Sequence, residues 1–345
     1  MNVKTLKLDS YEIIIGAGIL GRLKTFCAGK NYSSTFILTD KTLYKLYAGA
    51  LKKVLPSARF IVIPSGEKHK NLKTLENIWK TLFKYGADRK SVLINFGGGV
   101  IGDMGGFAAG VYMRGMDFIQ VPTTLLAQVD ASVGGKTAVD LNGAKNIIGA
   151  FIRPSMVLID VTTLNTLPRR QLRAGWAEIL KHGLIKDKKY FERAESMSLT
   201  DLIYKSCQIK ANFVKIDERE KGPRKTLNLG HTVGHAVETL SFKTKNPLLH
   251  GEAVALGIIV ESRLSVLNET LTEKEFQEIR AVFAKRGFAL KCKNIKKKDI
   301  LKLILKDKKN YGKKIKWTLL NSIGSAIYDA ECAPQNISAA VDEIL

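Results

Sequence analysis

Short apolar runs separated by glycine-containing polar turns dominate the first half of the chain. Residues 1–9 alternate apolar and polar positions as a first strand would. Between later runs, apolar residues recur at Leu72, Leu75, Ile78 and Leu82, the spacing of one helix face. Strands alternating with such helices predict an α/β domain. The further predicted strands cover residues 11–15, 35–39, 59–63, 91–96, 117–121 and 156–160.

The pattern changes after residue 167, where longer stretches with helical spacing replace the short strand-like runs. A chain of 345 residues exceeds the roughly 250 to 300 residues at which single cores stop growing. We therefore predict an α/β domain at 1–167 and a mainly α-helical domain at 168–345. The second half is predicted to contain helices near 171–182, 202–214, 252–267, 273–283 and 300–305, a polar turn at 306–310 and a strand at 315–320.

The composition is typical of a soluble globular protein, with 45% hydrophobic and 25% charged residues. No apolar run approaches the ~20 residues of a membrane span, and the first residues lack the apolar core of a signal peptide. We therefore expect a cytoplasmic protein without a membrane partner. The cysteines are scattered without a CxxC pair and indicate neither a disulfide framework nor a thiolate metal site: Cys27, Cys207, Cys292 and Cys332.

The net charge of +23 raises the question of nucleic-acid binding. Phosphate contacts need clustered basic residues, whereas the basic residues here are mostly dispersed, with only short runs at 296–298 and 313–314. No aromatic-interleaved basic motif or zinc-finger spacing accompanies them. We expect no nucleic-acid partner, and a positive field of this kind suits a small anionic substrate.

Histidines are concentrated in one segment, since three of the five lie between residues 231 and 250. His231 and His235 are four residues apart in a segment with helical spacing, so both imidazoles project from one helix face. A catalytic metal site uses such ligands and needs a third from elsewhere. Two histidines at this spacing can equally cap or pack a helix. His250, followed by Gly251 and Glu252, favours the metal interpretation.

The predicted strand at 91–96 leads directly into the glycine-rich segment 97–103. A helix that begins after such a turn offers unpaired N–H groups and the positive end of its dipole to a dinucleotide pyrophosphate. The spacing differs from GxGxxG, and a closely packed turn is the alternative. Asp40 ends another strand, where a carboxylate either meets ribose hydroxyls or caps the next helix. The segment 134–137 is not a P-loop because Asp130 replaces its first glycine.

Taken together, these segments resemble the 3-dehydroquinate synthase family over nearly the whole chain. Departures are slight: Pro223 replaces the usual leucine before an arginine, and Leu229 replaces a frequent phenylalanine. The matching motifs are Ser65-Gly-Glu-Lys-His-Lys70, Gly97-Gly-Gly-Val-Ile-Gly-Asp103, Thr123-Thr-Leu-Leu-Ala-Gln-Val-Asp130, Ser132-Val-Gly-Gly-Lys136-Thr137, Lys145-Asn-Ile-Ile-Gly-Ala-Phe151, Trp176-Ala-Glu-Ile-Leu-Lys181, Leu227-Asn-Leu-Gly-His-Thr-Val-Gly-His235, His250-Gly-Glu-Ala253 and Asp307-Lys-Lys309.

The resemblance implies a Rossmann-like NAD-binding N-terminal domain, a helical metal-binding domain and a homodimer. It assigns a divalent metal, zinc or cobalt, to Glu178, His231 and His250, and makes His235 a proton-handling residue rather than a ligand. The NAD-binding residues that it implies are Asp40, Ser65, Gly66, Glu67, Lys68, His69, Lys70, Gly99, Val100, Ile101, Gly102, Asp103, Thr123, Thr124, Lys136, Lys145, Thr163, Leu164, Asn165 and Thr166.

The implied reaction converts 3-deoxy-D-arabino-heptulosonate 7-phosphate to 3-dehydroquinate and phosphate, a step of the shikimate pathway. It runs through transient oxidation at C5 by NAD, β-elimination of phosphate, re-reduction, ring opening and aldol closure. Alternatives are another sugar phosphate cyclase, such as 2-deoxy-scyllo-inosose synthase, and a metal-dependent polyol dehydrogenase. Besides His235, the resemblance implies a catalytic or substrate-binding role for Lys136, Lys181, Asp130, Arg224, Asn228, Asn146, Lys210, Arg114, Lys308 and Lys309.

Overall fold

The computed structural model describes residues 3–142, 144–311 and 315–345, except the side chains of residues 306–311. The chain forms two compact units. The first contains residues 1–167 and 198–211, and the second contains residues 168–197 and 212–345. The sequence-based division at residue 167 assigned residues 198–211 to the second domain, whereas contacts group them with the first.

A seven-stranded sheet forms the centre of the first unit, in the order β1-β2-β9-β6-β5-β3-β4. Only β1 is antiparallel to its neighbour, so the other six strands end at one common edge. We call it the carboxyl edge. The strands are β1 Lys4–Lys7, β2 Glu12–Gly16, β3 Thr35–Asp40, β4 Arg59–Ile63, β5 Val92–Gly97, β6 Asp117–Pro122 and β9 Met156–Asp160.

Helices cover both faces of this sheet, which explains why β5 and β9 are buried along their whole length. One face packs against α3 and α4, and the other packs against α1 and α2. In α4, a Cβ on Gly105 would lie 1.9 Å from Oδ1 of Asn95, so glycine permits close helix-sheet packing there. The helices are α1 Arg22–Lys30, α2 Lys41–Val54, α3 Leu72–Lys84 and α4 Gly99–Val111.

Two features of this unit were not predicted. An antiparallel hairpin pairs β7, Lys136–Leu141, with β8, Ala144–Phe151. The segment around Asp130 contains a short π-helix, Ala127–Ala131. Exposed and partly buried side chains roughly alternate along β8, and this alternation was the available signal for a strand. The small residues and the glycine of β8 made the signal weak in the sequence.

The second unit is mainly helical and is organised around α9, most of whose residues are buried. The predicted fold class is therefore confirmed. The prediction of a polar turn at 306–310 is wrong, because α11 continues to Tyr311. Bounds of these elements are α5 Arg169–Lys186, α6 Lys188–Arg193, α7 Leu199–Ile216, α8 His231–Ser241, α9 His250–Leu267, α10 Glu273–Lys285, α11 Lys297–Tyr311, α12 Pro334–Val341, β10 Trp317–Ser322 and β11 Ser325–Ala330.

The first part of α7, through residue 211, belongs to the first unit, and its last turn belongs to the second. Within the described ranges, no helix combines the length and the hydropathy that crossing a membrane requires.

Candidate active site

Three potential metal ligands from three helices converge in the second unit. Glu178 lies in the middle of α5, whereas His231 and His250 are the first residues of α8 and α9. Oε1 of Glu178 lies 3.8 Å from Nε2 of His231 and 3.9 Å from Nε2 of His250. One ligand atom from each residue lies within 4.8 Å of the other two. We call these three residues the ligand cluster.

Both ligand-cluster imidazoles are oriented through their Nδ1 atoms. Nδ1 of His231 lies 3.2 Å from the carbonyl oxygen of Leu229, and Nδ1 of His250 lies 3.4 Å from Oε2 of Glu238. When these Nδ1 atoms carry the proton, each Nε2 presents a lone pair toward Glu178. Hydrogen bonding of the second ring nitrogen in this way is typical of histidines that bind metals.

Glu178 is almost completely buried, with 1% of its surface exposed. Its Oε2 pairs with the ammonium group of Lys181, three residues later on α5. Among the described residues, Oε1 has no hydrogen-bond partner, although a buried carboxylate oxygen normally has one. A divalent cation between Oε1 and the two Nε2 atoms would satisfy this oxygen. The carboxylate and imidazole donor set fits zinc or cobalt.

His235 lies beside the ligand cluster without belonging to it. Its ring centroid is 5.3 Å from that of His231 and 5.9 Å from that of His250. Among the residues that the structure describes, neither group of converging potential ligands contains His235. The imidazole of His235 is therefore close enough to exchange a proton with a molecule at the cluster.

Two predicted substrate-binding residues of the second unit, Arg224 and Asn228, shortly precede His231 in the sequence. Arg224 is 1% exposed, and its guanidinium donates to the carbonyl oxygen of Glu218 at 2.5 Å. Asn228 donates to Oε1 of Glu220 at 2.5 Å. Lys308 and Lys309 lie outside the residues whose side chains are described.

The predicted NAD-binding residues of the first unit mostly follow the carboxyl ends of parallel strands. Asp40 ends β3, and the segments at 65–70, 99–103, 123–124 and 163–166 follow β4, β5, β6 and β9. Dinucleotides bind at this edge in open α/β sheets. Asp40 also caps α2, since its Oδ1 accepts hydrogen bonds from N of Thr42 and from Oγ of Ser65.

The glycine-rich turn after β5 leads into α4, with Gly98 as its N-cap. Gly98 has no side chain with which to cap this helix, so the first N–H groups of α4 stay available to another acceptor at the carboxyl edge. A Cβ on Gly97 would lie 2.4 Å from Ile101, whereas a Cβ on Gly99 would meet only Ala131, at 3.8 Å. Gly97 is therefore required by packing, and Gly99 leaves open space at the helix N-terminus.

An ion pair between the buried Lys70 and the partly buried Asp103 lies at the same edge. Nζ of Lys70 donates to Oδ2 of Asp103 at 2.6 Å and to Oδ1 of Asn146 at 2.5 Å. Burial opposes a charge on Lys70, but the nearby carboxylates of Asp103 and Glu67 raise the pKa of this ammonium group above its ordinary value. Lys70 therefore remains a cation at this edge. Lys145 lies 3.7 Å from Glu67.

Four further predicted residues of the first unit lie apart from these segments or pair among themselves. Nζ of Lys210 forms an ion pair with Oδ1 of Asp130 at 2.9 Å and donates a hydrogen bond to the carbonyl oxygen of Asp130 at 2.8 Å. Lys136 begins β7, whereas a P-loop lysine begins a helix. Arg114 lies three residues before the start of β6, at the edge opposite the carboxyl edge, and so apart from the candidates that follow the strand ends.

Sequence reasoning gave no role to Glu238, although the structure places its carboxylate beside His250. Its position seven residues after His231 puts it on the same side of α8, and this spacing was the available signal. The exposed fraction of its side chain is 5%, so Glu238 approaches His250 from the protein interior.

Comparison with known proteins identifies relatives along most of the chain. The family described as 3-dehydroquinate synthase N-terminal matches residues 60–174, and 3-dehydroquinate synthase C-terminal matches residues 175–310. A 3-dehydroquinate synthase of Thermoanaerobacter pseudethanolicus is 44% identical over 308 residues, which covers 85% of this chain and 86% of the relative.

Solved structures with the same fold include those of two related synthases. The 2-epi-5-epi-valiolone synthase of Streptomyces hygroscopicus subsp. jinggangensis 5008, with NAD+ and Zn2+ bound, is 26% identical with a TM-score of 0.87, covering 99% of this chain and 98% of its own. A 2-deoxy-scyllo-inosose synthase complexed with carbaglucose-6-phosphate, NAD+ and Co2+ is 24% identical with a TM-score of 0.89, covering 100% of both chains. The second likeness concerns the fold alone.

Proposed function

The chain belongs to the 3-dehydroquinate synthase family, and we propose that Glu178, His231 and His250 hold the divalent metal of its active site. As an enzyme of this family, it forms 3-dehydroquinate and phosphate from 3-deoxy-D-arabino-heptulosonate 7-phosphate. The observation that carries the metal proposal is the convergence of three ligand atoms within 4.8 Å, one of them a buried oxygen without a hydrogen-bond partner among the described residues. Zinc and cobalt both suit this donor set.

A metal held here would supply a Lewis acid, which lowers the pKa of a coordinated substrate hydroxyl and stabilises negative charge on its oxygen. The surrounding residues prepare the position. Leu229 and Glu238 orient the two imidazoles through Nδ1, and Lys181 compensates the second oxygen of Glu178. Three protein ligands leave a coordination position for substrate, as in catalytic zinc sites.

We assign proton handling to His235, whose ring lies 5 to 6 Å from the other two. Its imidazole can accept a proton from bound substrate at Nε2 or Nδ1 and return it later, because its ordinary pKa lies near neutrality. The substrate carries a carboxylate and a phosphate, which need cationic partners. In the second unit, Lys181 and Arg224 are fixed by buried contacts and can supply such charge without losing side-chain freedom on binding.

We assign NAD to the carboxyl edge of the first unit. NAD bound there would supply a hydride acceptor for the oxidation and a hydride donor for the later reduction. The uncapped N-terminus of α4 can receive the pyrophosphate, and Asp40 lies at the end of β3, where ribose hydroxyls bind in this class of fold. Lys70, held between Asp103 and Asn146, keeps positive charge at this edge.

Assay of the purified protein with the heptulosonate phosphate and a trace of NAD tests the function directly. We expect phosphate release in large molar excess over NAD, with no net NADH. Phosphate or ketone formed in step with NADH would instead identify a polyol dehydrogenase. Turnover of glucose 6-phosphate would identify a 2-deoxy-scyllo-inosose synthase, whose substrate lacks the carboxylate that Arg224 would bind.

We also propose that the chain acts as a homodimer in the cytoplasm. Large apolar side chains exposed on β8, Ile147 at 57% and Phe151 at 49%, support a surface that a second copy would cover. Light scattering should give twice the mass of one chain, and Ile147→Glu should lower the dimer fraction. A monomer in the wild-type protein at micromolar concentration would contradict this proposal.

A further inference from the structure

The helix that begins with His231 lacks an ordinary cap. Its N-cap residue is Gly230, with φ of +82°, and no side chain of the cap accepts a hydrogen bond. A Cβ at this position would lie 2.5 Å from Cγ1 of Ile258 and 2.8 Å from the carbonyl oxygen of Val254. The usual capping residues, serine, threonine, aspartate and asparagine, are therefore excluded at residue 230 by the close approach of α9.

Glu261, on α9, takes over the capping function from the neighbouring helix. Its side chain is completely buried. Oε2 accepts a hydrogen bond from N of Gly230 at 2.6 Å, and Oε1 accepts one from N of Val233 at 3.4 Å. The N–H of Thr232 also points to this carboxylate. The donors are the groups that a helix N-terminus leaves without intrahelical partners.

We infer that Glu261 is a positioning residue for the metal ligand His231. This inference rests on the proposed function, because it assumes that the ligand cluster binds a metal. The two bonded N–H groups belong to Gly230 and Val233, which lie on either side of His231 in the sequence. By holding the first turn of α8 at both points, the carboxylate sets the position of the His231 backbone, from which its imidazole extends toward Glu178.

His231 is the first residue of α8, so its backbone lies within the turn that Glu261 holds. Removing both side-chain oxygen acceptors of residue 261 should therefore weaken metal binding more than a substitution that keeps one acceptor.

Cobalt binding by the metal-free protein tests the inference without relying on activity. We expect Glu261→Ala to weaken Co2+ affinity by about 10-fold or more and to change the visible absorption spectrum of bound Co2+. Glu261→Gln keeps an oxygen acceptor and should remain within about three-fold of wild type. Glu261→Asp withdraws the carboxylate by one methylene and should weaken binding measurably; this variant decides the question if the alanine variant does not fold.

Glu275 provides a matched control in the same unit. It caps α10, accepting hydrogen bonds from N of Thr272 at 3.3 Å and from N of Ile323 at 3.1 Å, but does not contact α8 in this way. Glu275→Ala should lower thermal stability while leaving Co2+ affinity and spectrum unchanged. If Glu261→Ala, or Glu261→Asp in its place, binds Co2+ with wild-type affinity and spectrum, Glu261 is only a structural cap and the inference is wrong. Failure of the wild-type protein to bind Co2+ at all would instead contradict the proposed function.

Discussion

Nδ1 of His250 lies 3.4 Å from Oε2 of Glu238, a residue in α8 that faces the first residue of α9. A carboxylate that accepts the Nδ1 proton fixes the imidazole tautomer and raises the basicity of Nε2. Nε2 is the atom that approaches Glu178. One buried side chain thereby holds His250 in the orientation that a metal ligand at this position would need.

Glu238→Ala should therefore weaken metal binding by about 10 to 100-fold. The fold should survive, because the histidine remains and the helices keep their apolar contacts. Competition with a chromophoric chelator would measure the metal dissociation constant. Glu192→Ala, which removes an exposed carboxylate from α6, is the control; an equal effect of both substitutions would show that net charge alone matters.

Removing a ligand should have a larger effect than removing its hydrogen-bond partner. We expect His250→Ala to lose bound metal and activity together while remaining folded, because apolar packing of α9 stabilises the unit. Elemental analysis and circular dichroism of the purified variant provide the measurement. Metal content equal to that of the wild type would remove His250 from the ligand set.

His235 should behave differently from the ligands. If it handles protons, His235→Asn should keep metal and NAD binding and lower kcat by about 10² to 10⁴-fold, the usual contribution of general acid-base catalysis. The limb of the pH-rate profile due to this imidazole should disappear. A fall in metal stoichiometry would make His235 a ligand after all.

A side chain at residue 99 should weaken NAD binding without disturbing the fold. Its Cβ would meet only Ala131, at 3.8 Å, so the fold can accommodate Gly99→Val. The added methyl groups would occupy the N-terminus of α4, where a pyrophosphate would approach the N–H groups. Calorimetric titration should show NAD affinity weakened by about 10-fold or more, with metal content unchanged. Gly29→Val, at an open position in α1, is the control, and unchanged NAD affinity in Gly99→Val would leave the turn with a packing role only.

Glu261 should also make stability depend on pH. Burial raises the pKa of its carboxyl group from about 4.5 to about 8, although hydrogen bonds from Gly230, Val233 and Thr232 lower it. Between these values the folded protein keeps a proton that the unfolded chain has released, so the unfolding free energy falls as pH rises, by up to about 1.4 kcal/mol per pH unit. Denaturant titrations of the metal-free protein at pH 5, 6, 7 and 8 should show this decline in wild type, with a smaller decline in Glu261→Gln. Parallel curves would exclude Glu261 as its source.

Local sequence patterns determined the first unit well, because strand and helix periods depend on neighbouring residues. The runs at 59–63 and 156–160 are strands with the predicted bounds. Since parallel strands end at one edge, the strand pattern is enough to place the turns after them together. The hydrophobic pattern did not predict β8. This strand forms by pairing with β7, and its exposed small residues give little local indication of a strand.

The histidine spacing by itself associated His231 with His235, because residues four apart share a helix face. Which imidazole nitrogen approaches which carboxylate depends on contacts among α5, α8 and α9. Glu178 precedes His231 by 53 residues, so no local pattern connects them. Only the resemblance, not the spacing, brought Glu178 into the set. Tertiary structure alone revealed Glu238 behind His250 and Glu261 beneath the start of α8, because a buried carboxylate acquires its role from the N–H groups that packing places around it.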